Sequence, residues 1–257
     1  MAKVTIKDIS KIYPPTSAKG NQTEALEELS LQVSDGEFVA FFGPNACGKT
    51  TLLNCVAGVI SIDSGSISID GKKPRDAKIG YIFQNHLETL LPWARVVDNI
   101  AYPLYLHGVS RRDRHIRVHK LLETMNISIP LDVWPTQLSG GQQQLVTIAR
   151  ALIYEPDLML FDEPFSALDI DSRLQMHAKL QDIWNKTKAT ILFVSHELDE
   201  ALLLADRVVM LSKGPARILD IIEIPFDRPR NQRLLEEEDF SRIRRRALRI
   251  FRKAVTK

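Results

Sequence analysis

The sequence predicts an α/β fold with a mainly parallel sheet, an antiparallel β subdomain and an inserted α-helical subdomain. Three observations lead to this prediction. Short apolar runs, typical of buried parallel strands, alternate with segments of helical period along most of the chain. Two segments near the N-terminus alternate apolar and polar residues instead, and residues 96–127 keep helical spacing between strands.

The individual elements follow in chain order. Residues 3–12 and 25–34 alternate in polarity, which predicts antiparallel strands with one solvated face. Further strands are predicted at 37–42, 64–71, 78–83, 158–161, 190–194, 207–212 and 217–224. Helices are predicted at 51–57, twice within 96–127, and at 141–154, 171–186 and 197–205. We therefore expect one main unit over residues 1–227, with the helical subdomain at about 85–155.

A basic tail over residues 228–257 follows that unit. The chain of 257 residues has a net charge of +2, which gives no overall signal for nucleic-acid binding. The two cysteines, Cys47 and Cys55, lack metal-ligand spacing and predict reduced thiols. No apolar run approaches the roughly 20 residues that span a bilayer, so a membrane role would need a second, membrane-embedded chain.

The most telling local pattern is a phosphate-binding loop. The pattern G-x-x-x-x-G-K-[ST] is matched by Gly43, Pro44, Asn45, Ala46, Cys47, Gly48, Lys49 and Thr50. A predicted strand precedes the loop and a helix follows it, so backbone N–H groups would face an anion. Lys49 would add charge at the β- and γ-phosphates, and the Thr50 hydroxyl would reach Mg²⁺. A glycine-rich turn without this function is the alternative for the loop alone.

Two later stretches strengthen the interpretation. Residues 158–161 are apolar and are followed by Asp162 and Glu163, as in a buried parallel strand with carboxylates at its C-terminal end. Residues 138–142 read Leu-Ser-Gly-Gly-Gln, a far more specific pattern than the loop. With these motifs the chain, over roughly residues 3–225, resembles the ATP-binding subunit of an ABC (ATP-binding cassette) transporter.

The resemblance implies a head-to-tail dimer, either with a second copy or with a paralogous ATPase subunit. In the family, the signature loop of one subunit closes over the nucleotide of the other; here that loop is Ser139, Gly140, Gly141 and Gln142. Ser139 and the two glycines begin a predicted helix, where they can face phosphate. Asp169 matches the family's cross-dimer D-loop. The alternative for Ser139 and its glycines is an ordinary helix cap.

Residues at the ends of strands complete the catalytic set that the resemblance implies. Asp162 would hold Mg²⁺, and Glu163 would polarise the water that attacks the γ-phosphorus. Gln84 matches the glutamine that senses Mg²⁺ and water, and His196 matches the histidine that touches the γ-phosphate. A lone glutamine or histidine is more often an ordinary residue without a catalytic role. Gln84 and His196 are proposed as site residues because each lies at the end of a predicted strand.

The remaining nucleotide contacts lie near the loop. Tyr13 fits the aromatic position that stacks on adenine in the family; the alternative is an ordinary surface tyrosine. Thr51 directly follows the loop and is expected to contribute to nucleotide binding. Ala46 departs from the family's usual glycine, which would cost about 1 kcal/mol if φ is positive there. We expect an active ATPase that uses ATP and Mg²⁺.

Residues 90–100 and 199–209 resemble importer ATPases of the nitrate/sulfonate/taurine group. The resemblance implies a separate polytopic permease, an indirect link to a solute-binding protein, and a peripheral position on the cytoplasmic face of the inner membrane. The solute would be a small anion or sulfonate-like molecule. The aromatic residues Trp93, Tyr102 and Tyr105 fall where the family receives the permease's coupling helix.

Other classes fit less well, although a soluble ABC-type ATPase without a transport role remains the alternative. A chromosome-maintenance ATPase would need a long coiled coil between Gln84 and Leu138, and the segment is too short. A translation-type protein would carry two cassettes. A GTPase would need Asn-Lys-x-Asp, and residues 185–188 fail at the last position. A non-catalytic subunit would lose Glu163 or the signature.

Residues 241–255 of the tail predict an amphipathic basic helix. Such a helix either lies on a membrane surface or packs its apolar face on the cassette. Packing is favoured because the helix is short and a permease would already tether the subunit.

Overall fold

The structure is a computed structural model that describes residues 4–15, 22–84 and 89–256. Its strands are β1 (Val4–Tyr13), β2 (Thr23–Val33), β3 (Phe38–Phe42), β4 (Ser64–Ile69), β5 (Ile79–Ile82), β6 (Leu158–Asp162), β7 (Thr190–Val194), β8 (Arg207–Leu211) and β9 (Ile218–Glu223). Its helices are α1 (Lys49–Val56), α2 (Val96–Leu106), α3 (Arg111–Thr124), α4 (Gly140–Leu152), α5 (Ile170–Thr187), α6 (Leu198–Leu204) and α7 (Glu238–Thr256).

The larger sheet has the strand order β5-β6-β7-β3-β8-β9. Neighbouring strands from β5 to β8 are parallel, and β9 pairs antiparallel with β8. Because β6 and β3 flank β7, the carboxyl ends of these three strands meet at one edge of the sheet. The phosphate-binding loop of residues 43–50 (the P-loop) follows β3, Glu163 follows β6 and His196 lies just after β7, so the sheet brings these residues to one edge.

The side chains of the central strands alternate between two apolar clusters. Along β3, Phe38, Ala40 and Phe42 face one cluster, which also holds residues of the helices α2 to α7. Val39 and Phe41 face the other, which includes α1 and the smaller sheet. All five residues are buried, as expected for a parallel strand covered on both faces.

The smaller sheet is antiparallel, with the order β2-β1-β4. Buried and exposed residues alternate over much of β2, which matches the solvated face predicted from its sequence. The predicted α/β fold with a mainly parallel sheet and an antiparallel portion is therefore confirmed.

The helices α2, α3 and α4 lie between β5 and β6 in the chain, within the predicted helical subdomain. The buried Asn99 side chain accepts from Leu91 N at 2.7 Å and donates to three backbone carbonyl groups of residues 91–95. This amide therefore fixes the turn that leads into α2. The predicted unit, helical subdomain and tail include residues 1–3, 16–21, 85–88 and 257, which lie outside the described residues.

The tail contains a long helix that packs on the rest of the protein. In α7, Phe240 and Ala247 are fully buried, and the ring centroid of Phe251 lies 5.1 Å from that of Phe42. On the outer face, Arg244 pairs with Asp199 at 2.6 Å. The apolar face of the helix thus contacts protein, as the packing interpretation of the tail requires.

Candidate functional site

The P-loop has the backbone geometry of an anion-binding loop. Gly48 is the N-cap residue of α1 with φ 117°, and a Cβ at this position would lie 2.5 Å from the carbonyl oxygen of Ala25. Glycine is therefore required there on both counts. Ala46 also has a positive φ, 56°, which is strained for a residue with a side chain.

The N-terminus of α1 carries no side-chain cap, so backbone N–H groups of its first turn have no side-chain acceptor. Lys49 lies in this turn and is buried. Its Nζ atom donates to the carbonyl oxygens of Gly43 and Pro44, each at 2.9 Å. The loop thus holds the ammonium group close to the helix N-terminus, where both would attract a phosphate.

A cleft of about 740 Å³ opens in front of the loop, and we call it the P-loop cleft. It is lined by Tyr13, Thr23, Glu24, Ala25, Asn45, Ala46, Cys47, Gly48, Lys49, Thr50, Thr51, Gln84, Glu163, His196 and Gly214. Predicted loop residues from Asn45 onward and predicted residues at the ends of four strands therefore share one space, whereas Gly43 and Pro44 do not line it. The Tyr13 hydroxyl also lies 3.3 Å from Thr51 Oγ1, which places this ring beside the loop.

Asp162 lies beneath the cleft at the end of β6 and is almost fully buried. Burial raises the pKa of its carboxyl to about 6, and the Glu163 charge adds to the rise, whereas Thr50 and Lys49 lower it. Its Oδ1 atom has no hydrogen-bond partner in the described part of the chain. A buried carboxylate oxygen without a partner, next to a threonine hydroxyl, suits a hard cation such as Mg²⁺.

No group of three or more His, Cys, Asp or Glu residues that could hold a metal ion occurs within residues 4–15, 22–84 and 89–256. A cation here would therefore depend on Asp162, the Thr50 hydroxyl and phosphate oxygens, and Gln84 lines the same cleft. Few protein ligands together with substrate phosphates are typical of Mg²⁺ sites.

Glu163 is held by contacts on several sides. Its Oε2 atom accepts from Gln84 Nε2 at 3.1 Å and lies 3.4 Å from His196 Nδ1. Its backbone N–H donates to Val194 O at 2.9 Å, which ties it to β7. Its φ of 48° lies in the left-handed region, a strained conformation of the kind that concentrates at functional sites.

The signature residues and Asp169 are not among the residues that line the P-loop cleft. Ser139 caps α4, where its hydroxyl accepts from Gln142 N at 3.3 Å and Gln142 Oε1 accepts from Ser139 N at 3.0 Å. Asp169 caps α5 by accepting from Ser172 N. Within one chain, these predicted site residues therefore stand apart from the residues that line the P-loop cleft.

Some residues that line the cleft could not be predicted from the sequence. Gly214 reaches the cleft because Ala216 N donates to Ala25 O at 2.9 Å, which joins the β8–β9 loop to β2. The Gly214-Pro215 pair marks a turn in the sequence, but nothing local places that turn beside the P-loop. Thr23, Glu24 and Ala25 are likewise positioned by the pairing of β2.

Comparison with known proteins identifies the family. The model of the ABC transporter family matches residues 26–166. The chain is 39% identical over 254 residues to the bicarbonate transport ATP-binding protein CmpD of Synechocystis, covering 96% of this chain and 88% of that protein. It is 40% identical over 222 residues to the taurine import ATP-binding protein TauB of Escherichia coli, covering 86% and 85%.

A solved dimeric structure of a bacterial ABC transporter cassette is similar in fold, with a TM-score of 0.74 and 28% identity over 87% of this chain and 100% of that one. The same cassette in a post-hydrolysis state with ADP and phosphate gives a TM-score of 0.73.

These comparisons and the geometry of the P-loop cleft settle the class of protein. The chain belongs to the ABC transporter family, as an ATP-binding protein that hydrolyses ATP. The predicted likeness to the nitrate/sulfonate/taurine group is confirmed by the taurine and bicarbonate relatives. In the part of the chain that the structure describes, no helix has the length and apolar character needed to cross a membrane.

Proposed function

We propose that this chain is the ATP-hydrolysing subunit of an ABC importer, and that two subunits assemble head to tail so that each completes the other's site. One observation carries the proposal: the P-loop cleft collects Lys49, Glu163 and His196 but not the helix N-terminus at Ser139. A nucleotide on the P-loop would thus meet half of its expected contacts. The partner subunit's Ser139 and following glycines supply the other half.

The two signature glycines support this arrangement. A Cβ at Gly141 would meet nothing within 4 Å, and a Cβ at Gly140 would meet Leu168 at an ordinary 3.5 Å. Neither has a positive φ. The fold of one chain therefore gives no reason for two successive glycines at an exposed helix start. A nucleotide held by the other subunit would explain them, because glycine lets a phosphate approach the backbone closely.

Hydrolysis at the completed site depends on positioning and on charge. Lys49 and the N–H groups of α1 stabilise the charge that develops on the phosphates. Glu163 accepts a proton from the attacking water. The water oxygen approaches the γ-phosphorus in line with the leaving oxygen. Gln84 and His196 hold the Glu163 carboxylate in place. Thr50 and Asp162 would hold Mg²⁺, which would supply positive charge against the phosphates.

A mixing experiment tests the shared site. Lys49→Ala removes the P-loop cation, and Ser139→Arg blocks the signature; each variant alone should lose ATPase activity. In mixed dimers, one site of each dimer retains both wild-type groups. We expect part of the activity to return on mixing. A fully active Ser139→Arg protein would show that the signature residues do not contribute to the ATP site. Wild-type protein diluted with either variant serves as the control for subunit exchange.

The surface around α2 supports a membrane-embedded partner. Trp93, just before α2, and Tyr105 and Leu106, at its C-terminal end, are large apolar side chains that expose 74%, 58% and 64% of their surface. The ring centroids of Tyr102 and Tyr105 lie 6.1 Å apart. An apolar helix end from a permease would cover this surface and place the subunit on the cytoplasmic face of the inner membrane.

The relatives suggest the class of solute. One is named for bicarbonate transport and another for taurine import, and both solutes are small and carry an anionic group. We therefore propose a small anion or sulfonate-like solute, selected by the permease and a solute-binding protein. Pull-down of this chain from detergent-solubilised membranes should recover a polytopic permease, and Trp93→Ala with Tyr105→Ala should abolish recovery. Recovery of soluble partners alone would favour a non-transport role.

A further inference from the structure

A buried histidine–carboxylate pair lies behind the P-loop cleft. His177 on α5 and Glu200 on α6 are 6% and 7% exposed, and His177 Nε2 lies 2.6 Å from Glu200 Oε1. Because a carboxylate oxygen has no proton to donate, Nε2 carries one and donates it. His177 Nδ1 has no partner in the described part of the chain, so the imidazole makes its hydrogen bond to Glu200 alone.

The second oxygen of Glu200 reaches the segment that carries His196. Ser195, fully buried, donates its hydroxyl proton to Glu200 Oε2. The same hydroxyl oxygen accepts from Glu197 N at 2.9 Å. Ser195 and Glu197, the two neighbours of His196 in the chain, are thus joined through the Ser195 hydroxyl. The Glu200 carboxylate holds that hydroxyl in place. A charged acceptor makes this a stronger restraint than a neutral hydrogen bond.

The other side of the pair contacts the segment that carries Glu163. The His177 ring lies 5.4 Å, centroid to centroid, from the ring of Phe165, at an interplanar angle of 57°. Phe165 is buried two residues after Glu163 and also lies 6.0 Å from Phe193 on β7. The pair therefore touches both segments whose side chains meet 3.4 Å apart in the cleft.

We propose that the His177–Glu200 pair positions His196 beside Glu163, with Ser195 as the link. This inference rests on the proposed function for the use of His196 and Glu163 in hydrolysis. Buried polar networks hold a single geometry when their groups are paired, and a displacement of about 1 Å can cost about a hundredfold in rate. His177, Glu200 and Ser195 act through other residues, so they are positioning residues.

The test combines kinetics with a spectrum of the histidine ring. His177→Phe keeps a ring beside Phe165 but removes the donor to Glu200; His177→Gln keeps a donor. We expect His177→Phe to lower kcat by about tenfold with the Kd for ATP within about twofold, because binding groups are untouched. His177→Gln should recover most of the loss. Ser195→Ala breaks the link directly and carries the same test if His177→Phe does not fold.

Ring signals of histidine-labelled full-length protein, with His196 assigned by His196→Gln, report its position whether or not it takes part in hydrolysis. The His196 signal should shift in His177→Phe and in Ser195→Ala. An unchanged His196 signal in both variants would overturn the positioning role. A shifted signal with unchanged kcat would leave the positioning intact and remove His196 from the proposed function.

His115→Phe is the matched control. His115 pairs with Asp98 at 3.0 Å within the helical segment, so the same substitution breaks a second histidine–carboxylate pair away from the cleft. It should leave both kcat and the His196 signal unchanged. Equal losses of kcat in His115→Phe and His177→Phe would show a general effect of stability and would also overturn the inference.

Discussion

The Nδ1 atom of His196 lies 3.4 Å from the Oε2 atom of Glu163, which also accepts a hydrogen bond from Gln84. The three residues come from the ends of β7, β6 and β5, which are neighbours in the sheet. Their meeting is therefore a product of strand order rather than of proximity in the sequence. A single carboxylate held by two side chains is suited to a positioned base.

Glu163→Gln should leave ATP binding near normal and lower turnover by about 10²–10⁴-fold, because the amide keeps the shape but cannot accept the proton. A dimer with bound ATP should then accumulate on gel filtration. Full hydrolysis by this variant would exclude Glu163 as the base. Glu197→Gln, on the same side of the sheet and 3.8 Å from His196, is a control for loss of charge near the cleft. It should keep most of the activity.

Ala46→Gly should raise the free energy of unfolding by about 0.5–1 kcal/mol. The left-handed conformation costs a residue with a Cβ about 1–2 kcal/mol, partly offset by the greater flexibility of glycine in the unfolded chain. Ala46 has φ 56°. Urea unfolding measures the change. Ala178→Gly, at an exposed position inside α5, is the matched control and should lower stability by about 1 kcal/mol. A loss of stability in Ala46→Gly would contradict the interpretation that the backbone is strained at Ala46.

The motifs and the strand pattern made most of the fold and of the cleft predictable. The P-loop and the acids after β6 carry their own local signals, and parallel strands bring such residues to one edge. The approach of Gly214 to the P-loop and the pair of His177 with Glu200 could not be predicted, because they depend on how separate elements pack. The signature at Ser139 was recognisable in the sequence, yet one chain does not bring it to the cleft.

The stability contributed by Cys55 should fall at high pH. Burial raises the pKa of this thiol from 9.0 to about 11, with Lys11 lowering it and Asp63 raising it. Since the folded pKa is the higher, the contribution is complete below the unfolded pKa and is lost as pH rises towards 11. Relative to Cys55→Ala, the wild type should lose about 1.4 kcal/mol between pH 8 and pH 10.

Urea unfolding of both proteins under reducing conditions measures this difference, and comparison with the variant cancels groups common to the two. The difference between them should be constant from about pH 6 to pH 8, where the thiol is protonated in both states. A constant difference up to pH 10 would mean that water reaches Cys55.

Phe251→Ala tests whether the C-terminal helix is part of the cassette core. The Phe251 ring is half-buried and lies 5.1 Å from the ring of Phe42, the residue directly before the P-loop. A fully buried phenylalanine costs about 3–5 kcal/mol on truncation, so we expect a loss of about 2 kcal/mol here. Val255→Ala, with the side chain 47% exposed on the same helix, should change stability by less than about 0.5 kcal/mol. Equal effects of the two substitutions on urea unfolding would show that α7 does not pack on β3, and would return the tail to a membrane-surface role. Unequal effects, with Phe251 the larger, would show that the apolar side of α7 stabilises the strand that supports the P-loop.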